Sequence, residues 1–277
     1  MKLTLGFSPC PNDTYIFEAM VHGSIDTEGL EFDYFMADVE DLNHRAFRGL
    51  TDITKMSSHA YSYAADNYLI LDSGSALGYK NGPLLIAGRK MTDKEISVSR
   101  IAIPGKYTTA NLLFSLAWPD AVSKTEYLFS EIADVVVDDR ADAGLIIHET
   151  RFTYREKGLI KLADMGHFWE EMTGLPVPLG LIAVHRRIPA EIALKVNRVI
   201  RRSLDYAVMR SSVISEFIEE NAREMEDSVI RSHINLYVNE FTVSLGNDGR
   251  KAISTLFGKG REKGVVPELP AGIFLEV

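Results

Sequence analysis

The residues best suited to chemistry in this chain stand where apolar runs end. Ala143-Gly144-Leu145-Ile146-Ile147 reads as a buried strand and runs straight into His148-Glu149. In α/β folds the carboxyl ends of strands face the ligand crevice. Histidine titrates near neutral pH and is the commonest general base. His148 is therefore a candidate proton acceptor; the plainer reading is a histidine bonded to backbone. Asp52-Ile53-Thr54-Lys55-Met56-Ser57 ends in the same manner, in Ser57-Ser58-His59. Hydroxyls and backbone N–H groups at such a point suit a carboxylate or a polyol, although capping a helix is the ordinary work of a serine there. Thr108-Thr109-Ala110, after Pro104-Gly105, opens another helix. It reads either as an anion-binding helix start or as a threonine cap.

The stretch Ser8-Pro9-Cys10-Pro11-Asn12-Asp13-Thr14 is the most distinctive. It links a strand, Leu3 to Phe7, to a helix that begins near Tyr15. Two prolines within three residues force a stiff, extended turn, and Pro11 suits the first helical position, where its missing N–H costs nothing. Ser8, Asn12 and Asp13 then lie together in a fixed polar turn that can hold small polar groups. Cys10 reads as a nucleophile paired with a histidine or as a small packed thiol.

The elements that must position these residues alternate strand and helix. Strands are expected near 30–35, 52–57, 68–71 and 83–87, then 100–103, 143–147, 159–162 and 181–184, with helices between them. Gly174-Leu175-Pro176-Val177-Pro178-Leu179-Gly180 reads as a Pro/Gly-rich crossing segment, and 189–259 reads as mainly helical. Late helices after a crossing segment suggest a C-terminal part that returns to the first domain. The pattern predicts two α/β lobes with a central cleft, the second lobe inserted into the first. Residues 1–88 and 179–277 form the larger lobe and 89–178 the inserted one, with crossings near Ala87-Gly88-Arg89 and Pro176-Val177-Pro178.

Composition narrows the function. A chain of 277 residues, 46% hydrophobic and 25% charged, can bury two cores without metal or disulfide staples. Its single cysteine precludes an intramolecular disulfide and is consistent with a reducing compartment. A net charge of −9 argues against nucleic acid as partner, because phosphate binding needs a basic face. No apolar run approaches the roughly 20 residues of a membrane span, and no signal peptide is expected. His22, His44, His167, His185 and His233 lack metal-binding spacing, and there is no Walker or dinucleotide loop. No metal is expected.

Taken in order, Ser8 to Thr14, Lys55-Met56-Ser57, the Gly105 to Ala110 turn, Gly144-Leu-Ile-Ile-His-Glu149, Trp169 and Thr173 to Gly180 resemble the 1,4-dihydroxy-6-naphthoate synthase family of the futalosine route to menaquinone. The similarity covers nearly the whole chain. It implies a fold like the two-lobed type II periplasmic binding proteins, in a cytoplasmic enzyme without a cofactor. The family's substrate is cyclic dehypoxanthinylfutalosine; its product is 1,4-dihydroxy-6-naphthoate, with loss of a three-carbon fragment. By position, His148 matches the family's proton acceptor. Lys55, Met56 and Ser57 match one substrate-binding stretch, and Thr109 and Ala110 match another. Two other functions fit the same outline: a related dehydratase of chorismate, and a non-catalytic solute-binding protein.

Overall fold

The computed structural model describes residues 1–222 and 226–276; the helical expectation over 223–225 lies outside them. Eleven strands are described: β1 (Lys2–Phe7), β2 (Glu31–Met36), β3 (Ile53–Ser57), β4 (Tyr68–Ile70), β5 (Ala76–Gly78), β6 (Leu84–Ala87), β7 (Ile101–Ile103), β8 (Lys124–Glu126), β9 (Ala143–Ile146), β10 (Ile160–Asp164) and β11 (Val177–His185). They form two sheets. One has the order β2-β1-β3-β11-β4, with β5 also paired to β11; the other has the order β10-β6-β9-β7-β8.

The two sheets are built alike. In each, a central strand (β1 or β7) pairs in parallel with the next two strands in the chain, and the second of these pairs antiparallel with a strand that enters from elsewhere (β11 or β6). Parallel neighbours need a crossover. Helices Pro11–Val21, Val39–Phe47 and Thr109–Ala117 supply three of these connections. Leu3, Leu5 and Phe7 alternate along β1 and are buried against the Pro11–Val21 and Ala190–Met209 helices, as the two-residue period of a strand requires. A second apolar cluster is shared by both lobes, running from Met56 and Tyr61 to Leu85, Ile101 and Leu113. No helix among the described residues is long and apolar enough to cross a membrane.

The expected strands all appear, and Pro11 opens its helix. Three details differ. The chain leaves the first sheet after Gly78 and enters the second at Leu84, so it crosses at 79–83 and not at 87–89; Ala87 pairs with Ala143 inside the second sheet. β5 had no counterpart in the pattern, since three residues are too few to show a period. The segment 177–180, expected as a bare crossing, is already strand. Pro178 is tolerated there because the register shifts between Pro178 and Gly180.

The return crossing is anchored by Trp169 on the Met165–Thr173 helix. Its ring is fully buried, and Nε1–H donates to the Pro176 carbonyl at 3.0 Å. Trp169→Ala should destabilise the protein by about 3–5 kcal/mol, read from the urea midpoint; a shift below 1 kcal/mol would show that the crossing is held by other contacts.

Candidate active site

The carboxyl ends of four strands meet at one cleft. β1 and β3 deliver Ser8 to Asp13 and Ser57 from one sheet; β7 and β9 lead to Thr108–Ala110 and His148 on the other. The cleft between them encloses about 580 Å3 of empty space, its open mouth included. Asn12, Lys55, Ser57, Thr109, Ala110 and His148 all line it.

On the first lobe the centre is the Asp13 carboxylate, which has no exposed surface. It accepts from the Ser8 N–H at 3.1 Å, the Ser8 hydroxyl at 2.7 Å and Asn12 Nδ2 at 2.8 Å, and it pairs with the Lys55 ammonium. Lys55 is itself buried on β3. Its stem lies across β11, where a Cβ at Gly180 would stand 2.7 Å from Lys55 Cε. Glycine at 180 is what lets the lysine lie there.

On the second lobe His148 stands two residues past the end of β9 with φ of 55°, left-handed backbone that a non-glycine residue rarely adopts. That turn aims the half-buried ring into the cleft. One face lies against Phe129, with centroids 4.8 Å apart, and the ring stacks at 6.0 Å on His233. His233 and Tyr237 come from the Asp227–Tyr237 helix. His233 Nε2 lies 2.9 Å from Asn12 Oδ1. Burial holds the His233 imidazole well below its usual range, aided by the charges of His148 and Lys55. Cys10 Sγ, a His148 ring nitrogen and a Glu149 carboxylate oxygen lie within 4.8 Å of one another. Burial, and then the Glu149 charge, push the Cys10 thiol well up, so it is a protonated thiol rather than a ready nucleophile.

Several bonds already span the lobes. Thr109 Oγ1 donates to the Leu179 carbonyl at 2.6 Å and accepts from the His59 N–H at 3.4 Å. Glu40 accepts from the Tyr107 N–H at 3.0 Å and from Asn43 Nδ2 at 2.7 Å, while Asn43 Oδ1 accepts from the Ser57 N–H at 2.9 Å. Burial raises the Glu40 pKa despite these donors. Gly105, with φ of 147°, brings the loop close enough that a Cβ there would stand 2.6 Å from Glu40 Cδ. Arg151 ties the turn after His148 to the first crossing through the carbonyls of Gly82, at 2.9 Å, and Lys80, at 3.2 Å.

Not every residue singled out in the sequence reaches the cavity. Met56 points away into the apolar cluster that both lobes share, because alternate strand residues face opposite sides and Lys55 and Ser57 take the cleft side. Ser8 and Asp13 lie behind the wall and hold Lys55 and Asn12. Asn81, Tyr237 and His233 carried no local signal. Each comes from a crossing or a late helix that only the tertiary fold brings to the site.

A two-lobed α/β molecule with its polar residues at facing strand ends belongs to the periplasmic-binding-protein-like class. A solved Candida albicans protein described as having the generic periplasmic binding protein fold superposes with a TM-score of 0.72 at 13% identity, over 99% of this chain and 93% of that one. Likeness at that identity concerns the fold alone. The chain belongs to the menaquinone biosynthesis family, whose model matches residues 3–262. It is 38% identical to a Thermus thermophilus protein named 1,4-dihydroxy-6-naphthoate synthase, over 99% of both chains. A Streptomyces coelicolor protein of the same name is 40% identical, over 96% of this chain and 95% of that one. A solved structure from Archaeoglobus fulgidus is 34% identical with a TM-score of 0.89, over 96% of this chain and 98% of that one.

The Asp13–Lys55 pair gives a direct test of this architecture. Asp13→Ala should leave a buried ammonium stranded and destabilise the fold by about 3–5 kcal/mol. Adding Lys55→Met should recover most of that loss in denaturant melts. Additive losses would show that the two charges act independently.

Proposed function

We propose that this protein is a carbon–carbon lyase that converts cyclic dehypoxanthinylfutalosine to 1,4-dihydroxy-6-naphthoate, with His148 as general base. The single observation that carries the reading is His148 itself. It is held in left-handed backbone at the end of β9 and lines a cavity between two lobes. Strained backbone of this kind concentrates at functional sites. Two relatives that match over nearly the full chain are named for the product, 1,4-dihydroxy-6-naphthoate; the cyclic futalosine derivative as substrate is what the family resemblance implies.

The chemistry asks little of the protein. His148 removes a proton from an activated C–H or O–H group. The electron pair left behind forms a new π bond as the C–C bond to the three-carbon fragment breaks; the bonding pair leaves with the fragment and is protonated, and aromatisation of the new ring drives the step. The Lys55 ammonium and the positive start of the Thr109–Ala117 helix orient the anionic substrate. Closure of the inserted lobe, with β6 counted in it, on the lobe formed by the rest of the chain excludes water from the intermediate. The two crossings serve as the hinge.

Purified protein should turn over the cyclic futalosine derivative and not chorismate. His148→Asn should lower kcat by about 10²–10⁴-fold with an unchanged melting temperature. Near wild-type turnover in that variant would end the assignment of the base, and ligand binding without turnover in the wild type would make the protein a binding module. Ser57→Ala and Thr109→Val, from facing lobes, should raise KM while leaving the fold intact. Normal kinetics with a lowered melting temperature would reduce either residue to a structural role.

A further inference from the structure

Behind His148 lies a buried group of side chains that the proposed reaction does not use. Cys10, Glu149 and His233 are 3%, 3% and 0% exposed. Cys10, His148 and Glu149 each offer a donor atom within 4.8 Å of the others. The Nδ1 atom of His233 stands 3.7 Å from Glu149 Oε2 and has no hydrogen-bond partner among the described residues.

The tautomer of His233 is fixed by its surroundings. Asp13 accepts from Asn12 Nδ2, so the Asn12 Oδ1 atom must face His233 as an acceptor. Nε2 therefore carries the proton, and the lone pair of Nδ1 points into the group. A ring N–H donating to a fixed acceptor is the outer shell that metal-ligating histidines keep; here the acceptor is the Asn12 amide oxygen, fixed because its Nδ2 donates to Asp13.

We infer that Cys10, His148, Glu149 and His233 form a binding site for a thiophilic divalent cation of the zinc class. A tetrahedral zinc site places thiolate sulfur, imidazole nitrogen and carboxylate oxygen about 2.0–2.3 Å from the ion. Donors so arranged stand about 3.5 Å apart; the Cys10, His148 and Glu149 donors, within 4.8 Å of one another, need close by little more than about an ångström, and His233 Nδ1 adjoins them through Glu149 Oε2 at 3.7 Å. Cys10 loses its S–H proton to solvent as the S–metal bond forms. Thiolate, carboxylate and two neutral imidazoles then leave a divalent ion with no net charge, which suits a buried place. Hard cations such as Mg2+ prefer all-oxygen shells and gain little here. Sequence spacing could not show this group, because its members come from the first turn, the end of β9 and a late helix. Because His148 is one of the donors, the bound ion withdraws the proposed base; this consequence alone rests on the reading of His148 given above.

The test titrates chelator-stripped full-length protein with Co2+. One equivalent should bind, with the strong visible bands of a tetrahedral site and a near-ultraviolet thiolate charge-transfer band, and Zn2+ should abolish both. Cys10→Ser should lose the charge-transfer band, and His233→Gln should bind Co2+ at least about tenfold more weakly, with circular dichroism confirming the fold of each. Absence of these bands in the wild type, or an unchanged charge-transfer band in Cys10→Ser, would overturn the site whatever His233→Gln does. Turnover assays with Zn2+ separate the two readings. Inhibition that Mg2+ does not reproduce supports both. Tight binding without inhibition keeps the site and removes His148 as base. Loss of activity in His148→Asn without metal binding keeps the base and removes the site.

Discussion

The buried pair of Asp13 and Lys55 is the constraint on which the site depends. An uncompensated charge inside a protein is costly, so each of these groups requires the other. Asp13 meets the requirement with four donors, and two of them come from Ser8 at the end of β1. The consequences spread outward. Asn12 must turn its oxygen towards His233, and His233 lies under the ring of His148. Position 180 must lack a side chain so that Lys55 can cross β11. One ion pair in the first lobe thus sets the surroundings of a residue in the second.

The common plan of the two sheets explains why the site is where it is. Each sheet has a central strand whose two parallel neighbours leave in opposite directions, and the ends of such strands open a crevice. Facing two of these crevices across a cleft brings four strand ends together. The lobes then divide the work. The first supplies fixed charge through Lys55 and Asp13; the second supplies the imidazole of His148 and the opening turn of the Thr109–Ala117 helix.

Most of this plan was legible in the sequence because it is local. Strand-like runs gave β1, β3 and β9; proline at a helix start gave the turn after β1; polar residues at strand ends and a helix start marked Ser57, Thr109 and His148, and the family resemblance marked Lys55. What the sequence hid depends on distance along the chain. His233 lies 85 positions from His148 by residue number, and nothing near it says which ring it will touch. The internal likeness of the sheets was also invisible, since it lies in strand order and not in repeated residues. Met56 shows the opposite failure. It stands between two residues that face the cleft and shares their motif, yet the pleat turns it into the core. The sequence places the first crossing at 87–89, not 79–83, because Leu84–Ala87 reads as one more strand of the first lobe; only its pairing with β9 and β10 assigns it to the second sheet.

Trp169 has a spectroscopic consequence. The chain holds two tryptophans, and both Trp118 and Trp169 lie between the crossings. Trp169 is sealed from solvent, while Trp118 closes the helix that begins at the cleft and donates its N–H to Asp93 at 3.1 Å. Indole emission therefore views the molecule from one side. It follows the inserted lobe and the return strand beside it, and the lobe that carries the ion pair contributes no indole of its own.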